Sequence, residues 1–555
     1  MNHDLPSIQT AVQLIGPDQL QLNKNKKVHP PGPHQILCKV EAVGLCFSDL
    51  KLLKQFSNHA RKTEILSGIE PSVLKEIPSY VPDAAPTVPG HEAVVRICAA
   101  GDGVERFKVG RRYLVQTDYR WLPTAHSNGS FGYNFEGALQ EYVLMDERVI
   151  TSPEGESMLI PASEELTASA IALVEPWACV EEAYRVQERR SLKVGGRTAV
   201  VADVKFDLQV LINLLQQYGK PSEIAWMAQA PPPEELPVSV QKYHRVSELK
   251  DIGLDDVIYF GSRGETVEQL MPKVAPQGLL NIVQCGGKFN LPVVTQVGRV
   301  HYSGIRIIGT TGANPAESMA NIPPTGEIRP GDRINVIGAG GPMGVMHVIR
   351  NICQGVEKVS VFAGDLNPQR LDLLTRIAQP LAQANSVTYS PYDPTRDILH
   401  ESFNYTVLMA PIPKLVNDAV QQAAPGGIIN IFAGIPATVT AQIDLDRYIE
   451  KRLYFIGTSG SVLEDMKVVL AKLESGKLDT NLSVGAVSGL AGAVEGIRAV
   501  ENQTIPGKII VYPTCKNLGL IRLSDLADKL PQAARQLNQG FWTRAAEKTL
   551  LETYQ

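Results

Sequence analysis

The chain is short of cysteine and of aromatic residues, carries little excess of either charge, and has no long apolar run. Its seven cysteines, Cys38, Cys46, Cys98, Cys179, Cys285, Cys353 and Cys515, are scattered, odd in number and nowhere spaced as C-x-x-C. That pattern argues against a disulfide framework and against a four-cysteine structural zinc site. A net charge of −5 over 555 residues leaves no broad basic face for nucleic acid. No stretch of about 18 apolar residues is available to span a bilayer, and the N-terminus lacks the charged start and apolar core of a signal peptide. A cytoplasmic protein with neither membrane nor nucleic-acid partners is expected.

What is present is an ordinary globular composition, long enough for about three or four structural units. Up to about Val186, short β runs are broken by Gly and Pro, as in Gln35–Val43 and Leu139–Met145, which reads as an all-β-leaning domain. From about Leu192, apolar strands alternate with helical stretches, the signature of βαβ units and a parallel sheet. This second region repeats itself. Leu192-Lys-Val-Gly-Gly-Arg-Thr198 matches Ile328-Arg-Pro-Gly-Asp-Arg-Ile334; Ala275–Val283 matches Ala424–Phe432; Ile307-Ile-Gly-Thr-Thr-Gly312 matches Phe455-Ile-Gly-Thr-Ser-Gly460. Order and spacing agree, so the organisation reads as a β-rich domain over 1–186, tandem α/β domains over 187–320 and 321–485, a return to the first domain over 486–513, and a helical extension over 514–555. The extension is expected to pack on the body rather than take part in chemistry.

Only the second copy has the residues to hold a dinucleotide. The strand Arg333-Ile-Asn-Val-Ile337 runs into Gly338-Ala-Gly-Gly-Pro-Met-Gly344 and then a helical stretch. Glycines there allow a tight turn and close approach of a pyrophosphate, whose charge the helix start favours. Gly338, Gly340, Gly341, Pro342, Met343 and Gly344 are the candidate phosphate-binding residues. A second strand delivers Asp365 about 20 residues on, where a carboxylate would bond the ribose hydroxyls and repel a 2′-phosphate. NAD is therefore expected ahead of NADP, although Arg370 nearby could accommodate a phosphate. The equivalent loop of the first copy, Val201–Leu208, has no glycine, and Asp203 and Asp207 would oppose a pyrophosphate. That copy is expected to be structural.

Three short segments precede this region: Gly44-Leu-Cys-Phe-Ser-Asp49, Pro89-Gly-His-Glu92 and Leu173-Val-Glu-Pro176. Each alone is compatible with ordinary packing or surface roles. Together they resemble the zinc-dependent medium-chain dehydrogenases, and most closely the polyol/sorbitol dehydrogenase and sugar-phosphate reductase branch. The resemblance covers the first 190 residues and continues through the second α/β copy to about Pro513. Val95 departs from the glycine usual there, and the family's four-cysteine loop is absent. The resemblance implies an α/β protein with a GroES-like β-rich catalytic domain and Rossmann-type doubly wound domains. It further implies one catalytic zinc, no structural zinc, with Cys46, His91 and Glu175 as ligands and Glu92 joining directly, through water, or only during exchange. Asp49 would fix the His91 ring, Ser48 would begin a proton relay, and Lys51 could join it. Zinc in such a site lowers the pKa of a bound alcohol.

Forty-four residues separate Cys46 from His91, roughly twenty more than the family pattern implies. The insertion carries Lys51, Lys54, His59, Arg61 and Lys62, either a phosphate clamp or a solvated face. Tyr119, Arg120, Trp121, Tyr133 and Asn134 are further pocket candidates or core. The function implied is hydride transfer between NAD(H) and a secondary alcohol or ketone of a polyol, sugar or sugar phosphate. A redox-neutral lyase or epimerase with tightly held NAD, and a non-catalytic NAD-binding scaffold, are the alternatives. The fold permits a homodimer, and two α/β copies in one chain could reproduce one internally.

Overall fold

In the computed structural model, residues 5–234 and 238–554 are described; the outermost ends of the expected domains, residues 1–4 and 555, lie outside them. The chain divides into two compact units, Met1–Ala178 with Ser461–Gln555, and Cys179–Gly460. The return to the first unit thus falls at Ser461, earlier than the 486 read from sequence. The signal at 486–513 was the apolar strand Lys508–Val511, whereas the segment from Ser461 begins with the amphipathic helix Leu463–Glu474, which reads equally well as part of an α/β repeat. No helix among the described residues is long and apolar enough to cross a membrane.

The first unit is built on a mixed eight-stranded sheet in which Gln35–Gly44 is central. It pairs antiparallel with Glu92–Ala100, with Tyr142–Asp146, and at its end with Lys508–Val511. In Gln35–Gly44 almost every side chain is buried, and in Glu92–Ala100 the first four residues and Ile97 are, so the two strands pair through the core of the unit. The pairing places Gly44 opposite Glu92 and Ile510 opposite Gly44. The strand ends that lead to Cys46, His91 and Lys508 therefore lie side by side.

The second unit holds two six-stranded, all-parallel sheets. One runs Ser239–Lys242, Glu223–Met227, Arg197–Ala202, Leu254–Phe260, Val274–Val283, Arg306–Thr310; the other runs Thr388–Tyr392, Ser360–Gly364, Arg333–Ile337, Phe403–Leu408, Ala423–Ile431, Tyr454–Ile456. Both have the doubly wound order 3-2-1-4-5-6. The α/β fold class expected from the sequence is thus the one observed.

The two sheets share one core, in which Val300, Ile307 and Val293 pack with Tyr448, Phe455 and Ile443. In the last part of the two copies matching positions lie 148 apart, as Gly309 and Gly457 do, and the contacts there obey that offset in both directions. Val294 pairs with Gln442, its own counterpart, in a short antiparallel ladder. Gly309 abuts Ile449, while Gly457 abuts His301, the counterpart of Ile449. Residue i meets j, and the partner of j meets the partner of i, which is the isologous geometry of a two-fold dimer written into one chain. A Cβ at Gly457 would lie 2.8 Å from His301 Cα and 2.9 Å from its N, backbone atoms that no rotamer change can move aside. Gly457→Ala is therefore expected to destabilise the second unit by about 1–3 kcal/mol, as overpacking does. The check is a lowered urea midpoint with an unchanged denaturant slope.

Candidate metal centre and dinucleotide loop

Helix Phe47–Gln55 begins at Cys46, and its third residue, Asp49, folds back so that its Oδ2 accepts the Cys46 N–H at 3.1 Å. The other carboxylate oxygen of Asp49 meets His91 Nδ1 at 3.1 Å. One buried acid thus ties the helix start to the ring and fixes which nitrogen of His91 faces outward from the pair. Among the described residues, one group of potential metal ligands is found, Cys46, His91 and Glu92, whose ligand atoms lie within 4.8 Å of one another.

Glu92 is fully buried. Its Oε1 accepts from Lys508 Nζ at 2.5 Å, while its Oε2 is sealed from solvent and has no hydrogen-bond partner. A bare carboxylate oxygen in such a place is costly unless a cation meets it. Burial works to lower the Lys508 pKa, but the charges of Glu92, Cys46 and Glu175 hold it above the usual lysine value. Lys508 is a site residue that the sequence reading missed. Its signal was a lysine opening the otherwise apolar strand Lys508–Val511.

Glu175 lies in the first turn of helix Val174–Arg185, buried, and outside the close ligand group. Burial pushes its carboxyl up to about 7, with His91 opposing that rise, Glu92 adding to it and Lys508 opposing it. The structure therefore brings together Cys46, His91 and Glu92, with Glu175 in electrostatic reach, rather than Cys46, His91 and Glu175 alone.

Ser48 Oγ sits 3.0 Å from His91 Nε2, and the buried Tyr133 ring stands 5.7 Å from that of His91. His59 stacks on Tyr133 at 5.1 Å between centroids, and Arg61 stands 5.5 Å above the same ring while paired with Asp118 at 2.9 Å. Burial lowers the His59 pKa to about 4, with Arg61, Lys51 and His91 contributing, so its ring is neutral near pH 7. The five basic residues of the insertion thus divide by role. Lys54 is taken up by Asp18 and Glu501 at 2.7 and 2.6 Å. Lys62 is fully buried, donating to the carbonyls of Val81 and Ala85, and staples the insertion to itself. His59 and Arg61 flank Tyr133, whose ring stands 5.7 Å from that of His91, and the charge of Lys51 bears on His59.

Of the proposed pocket residues, Tyr119 belongs to the core beside Phe135, and Arg120 donates to the Ser461 carbonyl at 2.8 Å. Trp121 is a partly buried neighbour of that core. Asn134 is spent on a turn, accepting from Ser130 N–H and donating to the Thr63 carbonyl. Of these, Tyr133 alone faces the ligand group, through its ring contact with His91.

In the second unit, Gly338 follows strand Arg333–Ile337 at φ +85°, a conformation side chains disfavour. Helix Pro342–Cys353 then starts with Pro342 in its first turn, Gly341 as cap and no side chain closing its end. A Cβ on Gly344 would stand 2.4 Å from the Gly338 carbonyl oxygen, so turn and helix close on each other only with glycine there. Asp365, one residue past strand Ser360–Gly364, accepts Gly340 N–H at 2.8 Å and Asn367 N–H at 2.9 Å. A Cβ at Gly340 would meet both Asp365 and Arg370, so these three residues lie together; Met343 lies in the first helical turn. In the first copy, the matching loop is filled. Phe206 stacks on Phe260 at 3.9 Å, Asp207 caps the helix Leu208–Tyr218, and Asp203 accepts from the hydroxyls of Tyr259 and Thr266.

Residues 32–154 match the family model of the alcohol dehydrogenase GroES-like domain. The chain is 27% identical over 233 residues to the L-sorbose 1-phosphate reductase of Klebsiella pneumoniae, covering 40% of this chain and 56% of that protein. Over 190 residues it is 28% identical to the (R,R)-butanediol dehydrogenase of Bacillus subtilis, covering 30% of this chain and 44% of that one. The chain thus spans about half the length of the curated relatives it matches. Its fold is shared with the solved 2R,3R-butanediol dehydrogenase of Bacillus subtilis, at TM-score 0.52 and 15% identity over 91% of this chain and 99% of that one.

Proposed function

We propose that the chain is a zinc-dependent oxidoreductase that moves a hydride between NAD(H) and a secondary alcohol or ketone of a polyol, sugar or sugar phosphate. The observation that carries this reading is the sulfur, nitrogen and oxygen donor set of the partly buried Cys46 and the buried His91 and Glu92, with the Glu92 Oε2 left bare. A mixed donor set of this kind suits zinc, and Glu175 is the natural fourth or exchanging ligand. Zinc there would supply Lewis-acid activation of the substrate oxygen. The GroES-like domain match and the relatives named as reductase or dehydrogenase support the same class of reaction.

The chain's own groups divide the remaining work. Ser48 Oγ, 3.0 Å from His91 Nε2, receives the hydroxyl proton as first member of a relay. Asp49 holds His91 in one orientation. Lys51, His59 and Arg61 supply donors for a polyhydroxylated or phosphorylated substrate.

The glycine turn at 338–341 and the open start of helix Pro342–Cys353 suit a pyrophosphate. NAD bound there would supply the hydride acceptor. Asp365 supports NAD over NADP, because two backbone N–H groups pin its carboxylate at the strand end, where an acidic residue would bond the ribose hydroxyls. The test is NADH formation with a panel of polyols and sugar phosphates, repeated with NADP and with Asp365→Ala. Losing charge-assisted bonds worth about 1.5–3 kcal/mol should raise KM for NAD about 10- to 100-fold and narrow or reverse the preference over NADP. An unchanged cofactor preference would remove Asp365 from this role. Turnover of substrate without stoichiometric NADH would point instead to a redox-neutral lyase or epimerase.

A further inference from the structure

The C-terminal extension ends in helix Arg544–Tyr554, and one acidic residue of that helix, Glu547, points inward, 5% exposed. Its carboxylate accepts three hydrogen bonds. Oε1 takes Ala168 N–H at 2.7 Å; Oε2 takes Ser169 N–H at 3.0 Å and the Tyr512 hydroxyl at 2.8 Å. Trp542 Nε1 donates to the same Tyr512 oxygen at 3.1 Å. Tyr512, Ser169 and Trp542 are all fully buried.

These partners sit on the two segments that stand behind the candidate metal centre. Ala168 and Ser169 open the helix Ala168–Ala172, whose next N–H, that of Ala170, is taken by Thr167. Without Glu547, the first two N–H groups of that helix have no acceptor in a buried place. The same chain reaches Glu175 three residues past Ala172. Tyr512 directly follows strand Lys508–Val511, whose first residue holds Glu92. One carboxylate therefore fastens the segment that delivers Glu175 to the segment that delivers Lys508.

We infer that Glu547 is a positioning residue for the metal centre, and that the extension is a clamp on the centre rather than packing alone. The inference rests on the metal reading of Cys46, His91 and Glu92. It acts through geometry: the two segments carry groups whose charges bear on the ligand set, and displacing either changes how well that set can close on a cation. Glutamine has the volume of glutamate but must turn an N–H toward one of three donors, so E547Q breaks the clamp without opening a cavity.

The test compares wild type, E547Q, Trp542→Phe and Arg544→Ala in the full chain, each loaded with zinc and titrated with a chelating dye. Arg544 lies on the same helix, but its ion pair to Glu165 is solvent-exposed, which makes it a control for docking of the tail. E547Q is expected to give up half its zinc at a dye concentration lower by about tenfold or more, as loss of an outer support does. Its cobalt-substituted form should show shifted visible absorption bands. Trp542→Phe should fall between E547Q and wild type, and Arg544→Ala should match wild type. Should E547Q not fold, zinc retention in Trp542→Phe decides the question in its place. Wild-type zinc retention and an unchanged cobalt spectrum in a folded clamp variant, even with a lowered melting point, would make the extension mere packing and overturn the inference. A wild type that holds no zinc at all overturns the metal-centre reading itself, and the clamp with it.

Discussion

Cys46→Ala, prepared under the same conditions as the wild type, is expected to contain no zinc where the wild type holds about one per chain, and to lose alcohol oxidation by on the order of 10³-fold or more. The magnitude follows from what the ion would supply, several kcal/mol of charge stabilisation at the reacting oxygen, with 1.36 kcal/mol to each tenfold in rate. Cysteine is the ligand to remove because its thiolate is the soft member of the set. The remaining His91 and Glu92 already have other attachments, to Ser48 and Asp49 and to Lys508 respectively. Truncation at Cys46 removes the sulfur yet leaves those bonds in place, so the fold of the first unit should survive, and circular dichroism should match wild type. Elemental analysis and activity are read on the same preparations. Equal zinc in the two proteins would exclude Cys46 as a ligand; no zinc in either, even after reconstitution, would turn the reading toward a metal-free reductase or a cofactor-binding scaffold.

Much of this arrangement was legible in the sequence, and the parts that were not share a physical reason. The glycine loop at 338–344 could be read because turn and close approach demand glycine, and residue type alone reports it. The filled loop of the first copy was equally legible as a loss: Phe206 and Asp207 stand where glycines would have to be, and they stack and cap as such residues do. Asp49 and Ser48 were expected only because the segment around Cys46 resembles that of the zinc-dependent medium-chain dehydrogenases. Lys508 lies 416 positions from Glu92, and Glu547 lies 379 and 378 positions from Ala168 and Ser169, and no periodicity connects them. Their roles arise from strand pairing at Gly44 and from a tail folding back, both tertiary events. The division of the insertion's cations was likewise invisible, since Lys54, Arg61 and Lys62 look alike in sequence and differ only in what meets each one.

The Glu92–Lys508 pair leads to the largest expected effect on stability. Both side chains are essentially excluded from water, at 0% and 5% exposure, so removing one leaves the other charged and unpaired. Breaking a buried pair by deleting one member costs about 3–5 kcal/mol, and Lys508→Met in metal-free protein should lose that much. Three of the four tryptophans, Trp121, Trp177 and Trp542, belong to the first unit, so fluorescence in a Trp226→Phe background follows that unit in urea. The deficit reads out as a lowered urea midpoint. Glu92→Gln combined with Lys508→Met should recover most of it, since neither charge remains to be buried. Zinc makes the sharper distinction. In the wild type a bound cation would meet the bare Glu92 Oε2 while Lys508 keeps Oε1, but in Lys508→Met the cation would be the only positive partner left for Glu92. Zinc should accordingly raise the stability of Lys508→Met more than that of wild type. If both proteins gain equally, Glu92 is not among the ligands, and its bare oxygen needs another explanation.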